Sequence, residues 1–513
     1  MNFDILEDYK NYIGMVLFAI SILLILYLFL NPAMGYFLSV DEQFTLAVLN
    51  HSFSDAWKLI VNDVHPPLYY LILMGFKQLF NMLHVSLDLL YMTKLVSLLP
   101  LIILVIIAVT KIRRDYGWLS CGVFLFGITA MANCSEIYIT GRMYSWCVLF
   151  MILAFLSYMR VLKSSHITSW ILLCVFTILC AYTHYILLFS LFVMYLTYLV
   201  YIEFNDRVDK KTELKKLIAL IVACIICYIP WILSLTSQVS TVNRTFFNGA
   251  KLSVELIINY LTCFILQDTK HLTDLIFWKF LVVLLAILLV IMFIKEIDRF
   301  KDYEAFSIFS GLNIYVFTIL IASFFVTFIF KAITVRYFVA AAAVLWLSIA
   351  ILVSKVKNYK LLLVILILIL TLGSHGIITT VKDVNYHNNL DLEQKNVIAN
   401  INNQDSVVIY NGTYTTYHHL LNNTKEYSLK PESVLDNPTY TYEEDMSWII
   451  EDNPDKNIYL ITGLTNISDD DVEYDDGITA KKLSRQGRIW IMQLTQEVTD
   501  EENTTENATE VTQ

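Results

Sequence analysis

"HPPLYYLILMGFKQLF", residues 65–80, is the stretch on which the fold turns. It resembles a membrane span, and counting it as one reverses the sidedness of everything that follows. However, it opens on two prolines and carries Lys77 and Gln78, and charge inside hydrocarbon is costly. The stretch therefore reads as an amphipathic helix lying in the interface plane.

Eleven other runs approach the roughly 20 apolar residues that a crossing helix needs. They lie near 12–30, 88–110, 117–134, 143–161, 167–182, 185–203, 215–235, 275–294, 305–329, 335–353 and 359–379. A composition of 57% hydrophobic and 16% charged residues, with mean hydropathy +0.60, fits a polytopic membrane chain. The connectors "KIRRDYG", "RVLKSSH", "DRVDKKTELKK", "KEIDRFKDYE" and "SKVKNYK" are basic, and the alternate ones are not. The Lys/Arg bias then puts the N-terminus in the cytoplasm and the C-terminus outside the cell. No cleavage site follows the first run, which reads as a retained anchor. A long external first loop, about 31–87, results.

From 381 onward the text turns polar and acidic, with 9 Lys+Arg against 25 Asp+Glu. The short runs "DSVVIYNGTY", "NIYLITGL" and "GRIWIMQLT" read as strands, and "YEEDMSWIIED" reads as helical. The expected organisation is a transmembrane domain over 1–380, an external α/β domain over 381–495, and an acidic tail over 496–513 too polar to fold. No basic patch points to nucleic acid. Cys224 and Cys227 form a C-x-x-C, but inside "IVACIICYIPWIL" they read as small apolar residues of a span.

Chemistry-bearing residues gather on the face read as external. "SVDEQF" sets Asp41 beside Glu42, and "NDVHPPLYY" sets Asp63 two residues from His65 at a proline-stiffened turn. "SEIYITGRMYSW" contributes Glu136 and Arg142, "AYTHYILLF" His184, and "FKAITVRYF" Lys331 and Arg336. Cations there run against the Lys/Arg bias, which makes them candidates for holding an anion. A carboxylate can act as general base toward a hydroxyl, and cations can stabilise a departing phosphate. Glycosyl transfer from a lipid phosphate needs both.

At these residues the chain resembles the GT-C glycosyltransferases. The likeness is strongest to family 39, with its protein O-mannosyltransferases and lipid A aminoarabinose transferases. The resemblance spans roughly 12–380 and rests on the acid pair after the first span, the D-x-H-P-P-L-Y-Y, the G-R-M-Y-S and the late R-Y. It implies inverting transfer from a polyprenyl- or dolichyl-phosphate sugar, without nucleotide. No cofactor is expected, and a divalent metal stays open. By the resemblance Asp41 is the catalytic base with Glu42 in the same site, and Asp63 and His65 contact acceptor or phosphate. Arg336 faces the donor phosphate, and Arg142, His184 and Lys331 assist. The acceptor is a protein, a lipid or a cell-surface glycan, and the setting is the plasma membrane with its lipids. A transporter or flippase is the leading alternative, since many spans with scattered charges also fit one; a receptor or scaffold is a third.

Overall fold

In the computed structural model, the described residues are 3–31, 39–206, 209–245, 253–266, 272–325 and 334–411, then 421, 424–429, 441–443, 445–463, 472–474, 477–486 and 489–496. The chain divides into two compact units, Met1–Gly35 with Val48–Val384, and Tyr36–Ala47 with Asn385–Gln513.

The first unit is helical. Its elements are α1 (Phe3–Leu30), α2 (Val40–Asn50, begun in the other unit), α3 (Phe53–Asn62), α4 (Leu68–Met82), α5 (Leu89–Ile107), α6 (Arg113–Thr129), α7 (Glu136–Ile139), α8 (Tyr144–Ser164) and α9 (Ile167–Thr183). They continue with α10 (Ile186–Phe204), α11 (Lys210–Thr245), α12 (Val254–Thr262), α13 (Leu272–Glu296), α14 (Asp302–Phe325), α15 (Val339–Ser354) and α16 (Tyr359–Asn402).

Nine helical segments among the described residues are long and apolar enough to cross a membrane. One of them, Leu89–Thr129, has 41 residues and would measure about 60 Å if straight, twice the hydrocarbon thickness. It is not straight, because Gly117 takes φ +85° and breaks it. Only glycine adopts that conformation without steric penalty. Its two arms take up two of the apolar runs of the sequence, and the shorter apolar helix α9 takes up another. The remaining eight runs each fall on one of the other eight segments. Large apolar side chains such as Leu23, Ile226, Leu233 and Ile276 stay exposed along them, as lipid-facing residues do. The stretch 65–80 became α4, of 15 residues, too short to span.

Small residues set the packing of this unit. A Cβ on Gly14 of α1 would lie 2.3 Å from the Trp118 backbone, and one on Gly122 of α6 would lie 2.2 Å from the Gly14 carbonyl oxygen. The two backbones touch there, which is how helices associate where lipid is as apolar as their side chains. The alanine-rich α15 is almost wholly buried, and the Ser120 hydroxyl donates to its Ala350 carbonyl at 2.8 Å. α15 thereby fixes the short turn Val335–Phe338 that precedes it. All eight cysteines are free, and Cys224 lies 3.8 Å from Cys174 rather than pairing with Cys227, which is exposed.

The second unit holds a seven-stranded sheet with strand order β3-β2-β1-β4-β7-β6-β5. The strands are β1 (Ser406–Asn411), β2 (Lys425–Ser428), β3 (Thr441–Tyr442), β4 (Asn457–Gly463), β5 (Val472–Tyr474), β6 (Ile478–Gln486) and β7 (Ile489–Gln496), with α17 (Met446–Glu451) before β4. The first four are parallel, and β4, β7, β6 and β5 pair antiparallel. β1 and β4 are buried nearly end to end, as central parallel strands are.

The units divide at Val384/Asn385, close to the boundary expected after 380. α16 runs without a break to Asn402, since no proline or glycine after Gly376 stops it, so the units part within a helix. The segment bearing Asp41 and Glu42, read as part of the first domain, groups with the second unit. Gln496 closes β7, and the rest of the expected tail lies outside the described residues.

Candidate active site

In the first unit, α3 ends at Asn62 and Asp63 caps it in an extended conformation. The two prolines then launch α4, which carries Tyr70. The Tyr70 hydroxyl donates to Asp63 Oδ2 at 2.7 Å and receives Arg142 Nη1 at 3.2 Å, which suits an oxygen with one proton and two lone pairs. Arg142 Nη2 lies 3.2 Å from His65 Nδ1, itself 3.3 Å from Asp63 Oδ2. A guanidinium can only donate, so Nδ1 accepts a hydrogen bond from Arg142 when it carries no proton and donates to Asp63 when it does. Arg142 is 2% exposed, and a buried cation needs such partners.

The backbone of His65 is pinned from behind. Gln238 Nε2 donates to the carbonyls of His65 (3.1 Å) and Ile60 (3.3 Å). Tyr185 donates to Gln238, and Trp231 Nε1 to Tyr185 at 2.9 Å.

From His65 the cluster continues through rings. His184, in the turn between α9 and α10, stands 5.3 Å from the His65 ring, 5.9 Å from Tyr144 and 4.8 Å from Tyr337. The guanidinium of Arg336 lies 5.3 Å over Tyr144, an attractive cation–π contact. The Ile186 backbone N–H donates to His184 Nδ1 at 3.2 Å, so the neutral ring carries its proton on Nε2.

Electrostatics follow from this layout. Burial raises the Asp63 carboxyl, but the charge and hydrogen bond of His65, the charge of Arg142 and the Tyr70 hydroxyl outweigh it, leaving the group below the usual carboxylate range. Burial drives His184 well below the usual imidazole range, and His65, Arg142 and Arg336 push the same way. Tyr70 is raised well above its ordinary value, first by burial.

Asp63, His65, Arg142, His184 and Arg336, scattered over 274 positions of sequence (336−63=273 apart), thus form one connected group. Sequence reasoning missed the tyrosines that join them; with 31 tyrosines in the chain, nothing singled out Tyr70, Tyr144 and Tyr337. Lys331 lies outside the described residues. Among the described residues no three His, Cys, Asp or Glu side chains group as a metal site.

Asp41 and Glu42 belong to the other unit and open α2. The Glu42 carboxylate receives both the backbone N–H and the hydroxyl of Ser39 at 2.9 Å, while the Glu42 N–H lies 3.3 Å from the Ser39 hydroxyl. This is a capping box, S-x-x-E. Asp41, in the same first turn, is favoured there by the helix dipole.

No family model matches the sequence, and no curated protein matches it. Solved structures do match. ArnT from Cupriavidus metallidurans in the apo state aligns over 93% of this chain and 97% of its own, with TM-score 0.57 and 10% identity. The same protein bound to undecaprenyl phosphate aligns over the same shares, with TM-score 0.57 and 9% identity. The chain has the GT-C fold. At such identity the likeness concerns the course of the backbone, and it extends over the sheet as well as the helices.

Proposed function

We propose that this protein is an inverting glycosyltransferase that moves a sugar from a polyprenyl-phosphate donor to an acceptor hydroxyl at the outer face of the plasma membrane. The observation that carries the reading is the Arg142–His65–His184–Tyr144–Arg336 group, buried except for the half-buried Arg336, on a fold shared with a protein crystallised with undecaprenyl phosphate. Two guanidinium groups, from the turn before α8 and the turn before α15, are suited to a dianionic leaving group, because they stay charged at every accessible pH.

In this reading Asp41 removes the acceptor proton as the hydroxyl attacks the anomeric carbon from the face opposite the phosphate. The C–O bond to phosphate breaks, and Arg336, helped by Arg142 and Lys331, takes the developing charge. Asp63 holds Arg142 and His65 in place. Glu42 supports the helix turn that presents Asp41. The family 39 likeness rests on the motifs quoted above and favours transfer without a nucleotide.

The test uses purified full-length protein, a polyprenyl-phosphate sugar and cell-envelope acceptor, with no nucleotide sugar present. Product is expected, and Asp41→Asn should lower its rate by about 10²–10⁴-fold. Full activity in that variant removes Asp41 from the mechanism. Transmembrane movement of the donor without transfer supports the flippase reading instead.

A further inference from the structure

A cavity of about 470 Å³ opens at the opposite end of the first unit, lined by Lys163, Asp209, Lys301, Asp302 and Tyr303 around a floor made by Glu213. The proposed transfer makes no use of it. Tyr144 opens α8, two residues after Arg142, and Lys163 stands in its last turn. With 21 residues in that helix, the two sites are about 30 Å apart, the thickness of the hydrocarbon. The cavity therefore sits at headgroup depth in the other leaflet, where α8 and α10 end and α11 and α14 begin.

Its chemistry is specific in sign. The floor is internally satisfied: Glu213 receives Lys216 at 2.7 Å, the Tyr198 hydroxyl at 2.7 Å and the Ser165 hydroxyl. Ser165 is in turn fixed by Trp170 Nε1 at 2.9 Å. With Glu213 balanced by Lys216, the other charged groups lining the cavity among the described residues are Lys163 and Lys301 with Asp209 and Asp302. Asp209 is held ionised, chiefly by the Thr212 hydroxyl and then by backbone N–H groups of α11. Lys163 lies 5.6 Å over the Tyr303 ring, which orients the ammonium. An anion alone would meet two carboxylates there, and a cation alone two ammonium groups.

We propose that this cavity binds a zwitterionic phosphate–ammonium headgroup, the phosphate between Lys163 and Lys301 and the amine toward Asp209 and Asp302. Its volume falls within the roughly 300–1,000 Å³ range of small-ligand sites. A phospholipid is the source that the surroundings favour. Phe204, next to the lining residue Asn205, is 82% exposed, an apolar surface on which acyl chains can lie.

The experiment is native mass spectrometry of the full-length protein released from mixed vesicles of phosphatidylethanolamine and phosphatidylglycerol. The wild type should retain one phosphatidylethanolamine in preference to phosphatidylglycerol. Lys163→Ala with Lys301→Ala should weaken retention by about tenfold or more, and Lys163→Arg with Lys301→Arg should keep it. The alanine pair should keep wild-type melting and glycosyl transfer, which separates this site from the proposed chemistry. Displacement of the lipid by free phosphoethanolamine supports the same recognition with a soluble source. Failure of that competition beside retained lipid supports the lipid itself. Equal retention in the alanine pair, preference for phosphatidylglycerol, or no retained lipid in the wild type overturns the proposal.

Discussion

Tyr70 and Arg142, 72 positions apart in sequence, meet at 3.2 Å, and the same tyrosine hydroxyl donates to Asp63 at 2.7 Å. A helix too short to span thus delivers the oxygen that joins a buried cation to a buried carboxylate.

Removing that carboxylate should therefore be expensive. Asp63→Asn leaves the Arg142 charge uncompensated, and breaking a buried pair costs about 3–5 kcal/mol. The expected outcome is a clear drop in melting temperature, with Tyr70→Phe losing less because the charges survive. Scanning fluorimetry of the two variants measures the order.

Acid should destabilise the first unit in two windows. His184 is depressed, so the unfolded chain takes up a proton near its ordinary value of about 6.5 while the folded imidazole, beside Arg142 and Arg336, resists. Its contribution is complete above that pH and falls as pH drops below it. Asp63 is also depressed, so its contribution is present above about 3.9 and is lost as pH falls further, through the folded value. Melting temperature against pH should decline below about 6.5 in the wild type, and His184→Gln should flatten that first limb.

Arg336→Lys keeps the charge but loses the planar fork and its stacking on Tyr144. If Arg336 holds the donor phosphate, KM for the polyprenyl-phosphate sugar should rise by about 10-fold, and more in Arg336→Gln. Steady-state kinetics with the donor varied reads this directly.

Glu42→Gln should be nearly silent. Gln can take the Ser39 N–H as Glu does, and capping boxes use either residue. Transfer within about tenfold of wild type is expected, against the far larger loss for Asp41→Asn. A loss in Glu42→Gln as large as that of Asp41→Asn would assign Glu42 chemistry beyond the cap.

Gly122→Ala should separate α1 from α6, because its Cβ would meet the Gly14 carbonyl oxygen at 2.2 Å. Backbone cannot yield as a side chain does, and overpacking of this kind costs about 1–3 kcal/mol. Thermal melting should detect it, and Gly75→Ala, with open space around it, is the control.

The spans were legible because each is a long apolar run, and the reading of 65–80 rested on Lys77 and the two prolines, which hydropathy alone does not weigh. Arg142 and Arg336 were legible as cations in connectors read as external against the Lys/Arg bias, Asp63 and His65 as an acid and imidazole at a proline-stiffened turn, and His184 as a lone histidine at a span junction. Tyr70 was not, since Tyr69 beside it is equally buried and turns to Ser97 instead; a rotation of 100° per residue separates the two. The units part at Val384/Asn385, close to the expected boundary after 380. The helix that crosses it was not legible as continuous, because only the change in polarity marks that point. The capping role of Glu42 was written plainly in "SVDE", where the acid pair drew attention away from the serine.

The clamp on His65 has a mechanical side. Gln238 and Trp231 both lie on the part of α11 beyond Pro230, and a proline removes the hydrogen bond that would keep a helix stiff at that point. Bending there drags the His65 carbonyl with it, so the imidazole's reach is tuned by the shape of a helix whose outer surface belongs to the bilayer.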